Sequence, residues 1–178
     1  MKNAFEIRGD ITTIILKSPK YGIMETLIST SKLERAMMFP GTWGVAKNKS
    51  GFYVQGQSYE NGKEKTIYLH RFITNAPPGY SVDHINRNPL DNRDENLRIV
   101  THAENLQNQK VRVDNRTGYR GVTYMKEFNK YRARIRVNGE YIYLGYYDTA
   151  EEAAEVASQA RSKMMPFSQD ANYRWKMA

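Results

Sequence analysis

The residue types around His84 are those from which a metal-assisted hydrolytic site can be built. His84 directly follows Asp83, Asn96 lies twelve residues after His84, and Asn105 lies nine residues after Asn96. An imidazole can take a proton from water near neutral pH, and carboxylate and carboxamide oxygens are suitable ligands for a hard divalent cation. This pattern predicts that His84 activates a water molecule, while Asp83 and Asn105 bind Mg²⁺ or another divalent cation such as Mn²⁺.

Asn96 and the two other histidines complete the candidate site. Asn96 is predicted to be a catalytic residue together with His84. We expect it to hold the His84 loop by hydrogen bonds rather than to bind metal. His70 falls in a predicted strand and is expected to be structural, although it can approach the site. His102 lies three residues before Asn105, so we expect a surface or phosphate contact from it rather than metal binding.

Two arginines near the site, Arg71 and Arg93, have two roles open to them, a contact to phosphate or a solvated surface position. His84 has an ordinary alternative as well, because a single histidine in a loop is commonly structural. Asp83 and the spaced asparagines favour the chemical role, since a structural histidine does not require such neighbours.

The elements that must position these residues are a strand-rich segment and a loop-rich block. Residues 1–67 are predicted to form a β-rich N-terminal module, and residues 68–108 hold the candidate site. Strands are predicted at residues 11–16, 24–28, 43–47, 52–55 and 65–73. Asn61-Gly62 predicts a hairpin turn, Ser31 with Glu34 predicts a capping box before a short helix, and Thr101 is expected to cap another helix. We expect Trp43 to belong to the core.

The remainder of the chain has the clearest pattern. Residues 109–117 are predicted to be a linker, and residues 166–178 a tail. Between them, residues 118–165 are predicted to form three antiparallel strands, with Asn138-Gly139 as a tight turn, followed by one helix that Thr149 and Glu152 cap. The fold class predicted for the whole chain is therefore α+β.

The middle strand of this last segment alternates strictly between arginines and less polar residues. Its two faces are Arg132, Arg134 and Arg136 on one side, and Tyr131, Ala133, Ile135 and Val137 on the other. If the helix covers the apolar face, the arginines line the open face together with Tyr141 and Tyr143 of the next strand. Arginine suits phosphate groups and the guanine edge, so this face is predicted to bind nucleic acid. The other interpretation is a solvated edge strand whose charges oppose aggregation.

Composition is consistent with a nucleic-acid partner. The 178 residues carry a formal net charge of +8, which favours nucleic acid or an anionic membrane surface, and they include no cysteine. Disulfides, thiol nucleophiles and cysteine-based zinc sites are therefore excluded. No apolar run reaches the roughly 18 residues of a membrane span, and the first residues lack the apolar core of a signal peptide. We expect an intracellular protein with no membrane partner.

Five short motifs follow one another around the candidate site. They are Leu69-His-Arg-Phe72, Val82-Asp-His-Ile-Asn86, Leu90-Asp-Asn-Arg93, Glu95-Asn-Leu-Arg98 and Glu104-Asn-Leu-Gln-Asn108. As a set they resemble the HNH endonuclease family, particularly its phage- and intron-encoded members. The residues that name the family correspond to His84, Asn96 and Asn105, the last of which is a histidine in many members. The resemblance implies a ββα-metal finger in which these residues have the roles described above.

Four further motifs lie in the C-terminal segment. They are Tyr119-Arg-Gly-Val122, Tyr131-Arg-Ala-Arg-Ile-Arg136, Tyr143-Leu-Gly-Tyr146 and Asp148-Thr-Ala-Glu-Glu-Ala-Ala154. They resemble the DNA-binding domain of plant ethylene-response factors, which also occurs fused to phage homing endonucleases. The resemblance implies that the sheet enters the major groove, with contacts from Arg120, Thr123, Arg134, Arg136, Tyr141 and Tyr143. The plant domains usually have an acid at the position of Arg134, so their target sequence does not transfer.

The sequence thus predicts a homing-type DNA endonuclease. It would hydrolyse phosphodiester bonds with a metal-bound water that His84 activates, and its C-terminal sheet would choose the site on double-stranded DNA. We expect a monomer or weak dimer. One metal site per chain predicts that a monomer nicks one strand, whereas a double-strand break would need two chains or two successive events. The expected setting is the cytoplasm of a bacterial or phage-infected cell. The alternatives are a non-catalytic, sequence-specific DNA-binding regulator and, less favoured by the residues, an RNA-binding protein.

Overall fold

The fold is described from a computed structural model, which covers residues 1–48 and 51–169. The later part of the predicted tail, from residue 170, lies outside the described residues. The strands are β1 (Phe5–Arg8), β2 (Ile11–Ser18), β3 (Gly22–Ser29), β4 (Gly44–Asn48), β5 (Gly51–Glu60), β6 (Lys63–Tyr68), β7 (Ser81–His84), β8 (Asp91–Asn92), β9 (Leu97–Val100), β10 (Val122–Met125), β11 (Lys130–Val137) and β12 (Glu140–Tyr147). The helices are α1 (Leu33–Met37), α2 (Leu69–Thr74), α3 (His102–Gln107) and α4 (Ala150–Met164). The α+β class is therefore confirmed.

The chain divides into two compact units, the first Met1–His102 and the second beginning at Ala103. The first unit contains an antiparallel β4-β5-β6 sheet, the antiparallel β7-β9 pair and a sheet of order β1-β2-β3-β8. In the last of these, β8 pairs in parallel with β3, so that Leu27 lies beside Asp91. This pairing brings the N-terminal module against the loop that follows His84.

Local sequence accounts for the hairpins. Asn61 and Gly62 have φ values of 52° and 74°, and Asn138 and Gly139 have φ values of 51° and 89°. Two consecutive residues with positive φ form the hairpin turn whose twist matches that of the flanking strands, and Asn-Gly adopts it with little strain. Both hairpins predicted from the sequence are confirmed.

The core of the first unit is apolar and fully buried. Its buried members are Ile14, Leu16, Ile28, Ala36, Phe39, Trp43, Val54, Leu69 and Ile73. Trp43 stacks on Phe39 with ring centroids 4.1 Å apart, and its edge-to-face partner Phe72 lies at 5.5 Å. The assignment of Trp43 to the core is therefore confirmed.

Two elements of the first unit differ from the sequence prediction. The strand predicted at residues 65–73 is wrong in its second half, because β6 ends at Tyr68 and His70 lies in helix α2. Leu69, Phe72 and Ile73 have the spacing of one helical face, and that face packs into the core. The predicted Ser31 capping box is also wrong. Lys32, which cannot accept a hydrogen bond, occupies the N-cap of α1, while the Ser31 hydroxyl bonds the carboxylate of Asp94 at 3.3 Å.

Gly56, on β5, lies directly against the ring of Phe39. A Cβ atom at Gly56 would lie 2.3 Å from Phe39 Cζ, and the ring is held by its stack on Trp43. We expect Gly56→Ala to lower the free energy of unfolding by about 1–3 kcal/mol. The control is Gly44→Ala, whose Cβ would meet the Gln55 carbonyl oxygen at an ordinary 3.8 Å. Urea unfolding measures both, and equal midpoints would contradict the expected clash.

The second unit contains the antiparallel β10-β11-β12 sheet and helix α4. The predicted capping box is confirmed, since the Thr149 hydroxyl accepts from Glu152 N and the Glu152 side chain accepts from Thr149 N. Small residues of α4 pack on the sheet, and the buried cluster comprises Val122, Ala133, Ile135, Ala153, Ala157 and Ala160. The apolar face of β11 is thus covered by the helix, as predicted.

Candidate active site and nucleic-acid interface

The β7-β9 pair positions Asp83 and His84. Both residues lie on β7, and neighbouring residues of a strand point to opposite sides of the sheet. Asp83 lies opposite Arg98 of β9, and its Oδ2 accepts hydrogen bonds from Arg98 Nε at 2.9 Å and Arg98 Nη2 at 2.6 Å. His84, the proposed base, and Asp83, the proposed metal ligand, therefore point to opposite sides of the antiparallel β7-β9 pair.

His84 is buried and its ring has a defined hydrogen-bond partner. The ring Nε2 lies 3.0 Å from Oδ1 of Asn92. Burial lowers the pKa of His84 below its ordinary value, and this outweighs the opposing effects of the Asn92 hydrogen bond and the charges of Asp83 and Asp91. The imidazole is therefore neutral at physiological pH, which is the state that can accept a proton.

Asn96 fastens the loop that follows His84. Ile85 N donates to the Asn96 carbonyl oxygen at 2.9 Å, and Asn86 N donates to Asn96 Oδ1 at 2.8 Å. The Asn96 Nδ2 donates in turn to the Asp91 carbonyl oxygen at 2.7 Å. One buried side chain therefore joins the beginning of the loop to its end.

A second carboxylate, Asp91, lies in the same loop. Its two oxygens accept from Arg93 Nε at 2.7 Å and Arg93 Nη2 at 2.8 Å, and Asn86 Nδ2 donates to Oδ2 at 2.9 Å. The hydrogen bonds from Arg93 are the main reason that the pKa of Asp91 is lowered. Arg93 also pairs with Glu95 at 2.6 Å. The Arg93 guanidinium is thus held by two carboxylates, and the choice between the two roles left open for it is untested.

Arg71 likewise binds within the protein. Its guanidinium donates to the carbonyl oxygens of Tyr80 at 2.6 Å, Pro77 at 3.2 Å and Ala76 at 3.3 Å. These bonds close the turn that leads from α2 into β7. Arg71 therefore supports the strand that carries His84.

His70 lies beside His84 within a cluster of aromatic rings. The two imidazole centroids are 5.1 Å apart, Tyr68 stacks on His70 at 5.6 Å, and Tyr53 lies 6.2 Å from His84. Burial, with smaller contributions from His84 and Arg71, lowers the pKa of His70 to about 3. His70 does approach the site, and it is held there as a neutral ring.

The first unit is expected to lose stability in mild acid, because His70 can bind a proton in the unfolded chain but stays neutral in the folded one. Its folded-state pKa of about 3 lies below the ordinary value of 6.5. The unfolded chain therefore binds more protons between these values, so this stability is complete above about pH 6.5 and is lost as the pH falls. At about pH 5 the loss amounts to up to ~2 kcal/mol.

Urea unfolding of wild type and His70→Gln between about pH 5 and pH 7.5 measures this effect. His84 contributes in the same direction, so the variant should have a shallower pH dependence rather than none. The control is the exposed His102, whose replacement by glutamine should leave the wild-type slope. Identical slopes in all three proteins would contradict the role of His70.

The remaining predicted residues of this site lie on α3. His102 is exposed at the first residue of that helix, and Asn105 lies in its middle. The helix begins immediately after Thr101, as predicted. Asn105 belongs to the second unit, whereas Asp83 and His84 belong to the first.

The donor set has the composition of a hard-cation site with few protein ligands. Within residues 1–48 and 51–169, no three His, Cys, Asp or Glu side chains converge as a protein-only metal cage requires. Arg98 donates two hydrogen bonds to Oδ2 of Asp83, and a carboxylate oxygen is the kind of ligand that a hard cation takes. A carboxylate completed by water and phosphate oxygens fits Mg²⁺. The metal-binding role of Asn105 stays a prediction.

The open face of the second unit's sheet carries the predicted arginines and tyrosines. The guanidinium carbon of Arg134 lies 4.3 Å from the ring centroid of Tyr141, and that of Arg136 lies 5.3 Å from the same centroid. Arg132 lies beside Thr123 of β10. Within the part of the chain that the structure describes, the buried Nε of Arg132 has no hydrogen-bond partner. The face thus combines two guanidinium groups stacked on Tyr141 with a third arginine whose Nε is buried.

A β-bulge adds an aromatic residue that the sequence prediction missed. Ala133 pairs with Gly145 but Arg134 pairs with Tyr143, so β12 holds one extra residue between these pairs. The bulge shifts the alternation of β12, and Tyr146 lies opposite Arg132 on the open face. The ring centroid of Tyr146 lies 5.5 Å from that of Tyr143 and 5.0 Å from that of Phe128. The signal was Gly145, whose φ of 121° suits a bulge.

Arg120 makes contacts within the protein. Its guanidinium donates to the carbonyl oxygens of Gln107 at 2.6 Å and Leu106 at 3.1 Å. These are carbonyls at the C-terminal end of α3, where a cation is favourable. The DNA contact expected of Arg120 stays a prediction.

Sequence reasoning also missed Asn92 and Thr26. Asn92 Nδ2 donates to Thr26 Oγ1 at 2.8 Å, so the partner of His84 is itself held by β3. Asn92 belongs to the motif Leu90-Asp-Asn-Arg93, but the sequence alone predicted no role for it. Thr26 alternates with Met24 and Ile28 on the inward face of a strand, and a polar residue at such a position is a usable signal.

Two family models match the chain. The HNH endonuclease model matches residues 68–107, and the AP2 domain model matches residues 117–165. An uncharacterized HNH endonuclease of Acanthamoeba polyphaga mimivirus is 34% identical in an alignment 143 positions long, which covers 74% of this chain and 71% of that protein. The chain therefore belongs to the HNH endonuclease family. The AP2 match confirms the resemblance of the second unit to the plant DNA-binding domains.

Two phage proteins match shorter stretches. Protein 3.8 of Escherichia phage T7 is 36% identical over 64 residues, which are 36% of this chain and 53% of the phage protein. Protein 2.8 of the same phage is 40% identical over 63 residues, which are 35% of this chain and 43% of the phage protein. The aligned regions thus span about half the length of these relatives. No solved structure matches the chain significantly. Among residues 1–48 and 51–169, the helices lack the combined length and hydropathy needed to cross a bilayer.

Proposed function

We propose that the protein is a metal-dependent endonuclease that nicks double-stranded DNA at sites chosen by its C-terminal sheet. The observation that carries this proposal is a buried, neutral His84 next to the Asp83 carboxylate, on a hairpin whose loop Asn96 fastens. A structural histidine needs no such neighbours, whereas hydrolysis of a phosphodiester needs a base and a cation held in fixed geometry. The proposal includes a homing-type enzyme in an intracellular setting, and the phage and mimivirus relatives support the setting alone.

In this mechanism His84 takes the proton of the attacking water. Asp83 and Asn105 would hold the divalent cation, which when bound supplies positive charge to the phosphate and the leaving oxygen. Asn96 keeps the His84 loop in place, and Arg98 orients the Asp83 carboxylate through two hydrogen bonds to one oxygen. Arg71 acts indirectly, by closing the turn before β7.

The C-terminal sheet would supply affinity and site choice. Its open face carries Arg132, Arg134 and Arg136 with Thr123, Tyr141 and Tyr143, and the bulge adds Tyr146. Stacking on Tyr141 restricts the Arg134 guanidinium, so less conformational entropy is lost when it binds a base edge or phosphate. The one base and one cation site proposed here predict that a monomer cleaves a single strand.

Incubation with supercoiled plasmid DNA tests the proposal. We expect conversion to the nicked circle with Mg²⁺ or Mn²⁺ and none in the presence of a chelator. Linear product appearing without nicked intermediate would indicate paired chains and contradict single-strand cleavage. An intact plasmid under all conditions, with tight binding retained, would favour the alternative of a non-catalytic DNA-binding regulator.

Separate variants should distinguish the metal ligands from the supporting residue. We expect Asp83→Asn and Asn105→Ala to raise the Mg²⁺ concentration for half-maximal nicking by about tenfold or more. Asn96→Ala should instead lower the free energy of unfolding by about 1–3 kcal/mol, because its two side-chain hydrogen bonds are buried. Mg²⁺ titrations and thermal unfolding measure these effects. A shifted Mg²⁺ midpoint in Asn96→Ala, with unchanged thermal stability, would reverse the assignment.

A further inference from the structure

A chain of three hydrogen-bonded side chains runs from the N-terminal sheet to His84. Thr26 of β3 is fully buried, and its Oγ1 lies 2.8 Å from Nδ2 of the equally buried Asn92. Oδ1 of Asn92 lies 3.0 Å from His84 Nε2. Thr26 and Asn92 lie in the same compact unit as His84, on the neighbouring strands β3 and β8.

Backbone carbonyls fix the polarity of this chain. The Asn92 amide group that faces Thr26 also lies 3.2 Å from the Pro89 carbonyl oxygen, which can only accept, so this group must be the NH₂. Thr26 Oγ1 lies 2.7 Å from the Leu90 carbonyl oxygen, so its hydroxyl proton is used there and Oγ1 accepts from Asn92. The carbonyl oxygen of the Asn92 side chain is therefore the atom that faces His84.

We propose that Thr26 and Asn92 are positioning residues that hold the neutral His84 ring with its proton on Nε2, so that Nδ1 takes the proton of the attacking water. The inference rests on the proposed function for the role of Nδ1. It rests on hydrogen-bond polarity alone for the tautomer, since an Asn92 carbonyl oxygen at 3.0 Å requires a donor on Nε2.

Two contacts of the Asn92 side chain, one to His84 and one to the Pro89 carbonyl oxygen, disfavour the opposite tautomer. With the proton on Nδ1, the Nε2 lone pair would face Asn92 Oδ1 at 3.0 Å in a buried site. Turning the Asn92 amide to relieve this repulsion would place its oxygen against the Pro89 carbonyl oxygen instead. Thr26 matters because its oxygen is the second acceptor that keeps the amide in place. The N-terminal module thereby contributes directly to the chemistry.

The ring nitrogens of His84 report the tautomer without any cleavage. In ¹⁵N-histidine-labelled protein at slightly alkaline pH, protonated and unprotonated ring nitrogens have well-separated shifts, and the signals missing in His84→Ala assign the residue. We expect a protonated Nε2 and an unprotonated Nδ1 in the wild type. A protonated Nδ1 would overturn the proposal. The expected tautomer in a chain that does not nick DNA would support the positioning role and contradict the proposed function alone.

Matched threonine variants test the contribution of Thr26. Thr26→Val removes the hydroxyl at constant shape, and we expect mixed tautomers and about tenfold slower nicking. Thr26→Ser should restore both. If the Thr26→Val protein does not fold, the same measurements are made on Thr26→Ala. The control is Thr12→Val, because Thr12 is also fully buried and its hydroxyl bonds Thr30 at 3.0 Å, outside the chain to His84.

The control variant should keep the wild-type tautomer even if its stability falls. A wild-type ¹⁵N spectrum and nicking rate in Thr26→Val or Thr26→Ala would overturn the role of Thr26. An equal change of tautomer in Thr12→Val would also overturn it, because the effect would then follow from general loosening of the sheet.

Discussion

Replacing His84 with alanine is expected to lower the rate of DNA cleavage by about 10²–10⁴-fold, which is the usual contribution of a general base. The imidazole is buried, neutral and fixed by Asn92, so within the site as described it is the side chain suited to accept a proton. Affinity for DNA should change little, because binding energy comes mainly from phosphate contacts, which we assign to the arginine-rich sheet. His84→Ala should therefore bind its substrate and leave it intact.

Single-turnover nicking and equilibrium binding, measured on the same duplex, separate these two effects. The exposed His102 provides a matched control, and His102→Ala should nick at nearly the wild-type rate. Thermal unfolding of each variant must accompany the kinetics, since His84 is buried. Near-wild-type nicking by a folded His84→Ala protein would remove His84 from the mechanism.

Replacing Arg134 and Arg136 with alanine is expected to weaken DNA binding by about 1–3 kcal/mol for each arginine that contacts a base edge. Both lie on the open face of the sheet, and both guanidinium groups stack on Tyr141. If they bind base edges, the loss should fall on particular base pairs and relax the preference there. If they bind phosphate, affinity should fall equally for all sequences, with a shallower dependence on salt.

Binding to a selected duplex and to a scrambled duplex, across a salt series, distinguishes these outcomes. Arg112 is the matched control, because it is an exposed arginine of the same unit that pairs with Asp114. Arg112→Ala should lose little affinity. Unchanged affinity for both duplexes in Arg134→Ala/Arg136→Ala would exclude this face as the DNA surface, and the basic strand would then be a solvated edge.

The sequence predicted those parts of the fold that local chemistry determines. The two Asn-Gly turns, the Thr149 capping box and the alternation of β11 each depend on residues close together in the chain, and all are present. The two wrong elements arose where local signals competed. The apolar spacing of Leu69, Phe72 and Ile73 favoured a helix over the β-branched pattern, and Ser31 bonded Asp94 instead of capping its own helix.

The supports of the candidate site could be predicted less well, because they join distant parts of the chain. The motif around His84 pointed to His84 as the proposed base and to Asn96 as the residue that holds its loop. It did not identify Thr26, which reaches the site through a parallel pairing of strands. Nor did strict alternation place Tyr146 on the open face, since one extra residue in β12 changes the side to which every later residue points.

The pairing of β3 with β8 joins parts of the chain that lie far apart in sequence. Thr26 and Leu90 are 64 positions apart, yet the hydroxyl of the first bonds the carbonyl of the second. Contacts so distant in sequence form slowly, because a long loop must close before they stabilise anything. We therefore expect the loop after His84 to become ordered late in folding, once β3 and β8 have paired.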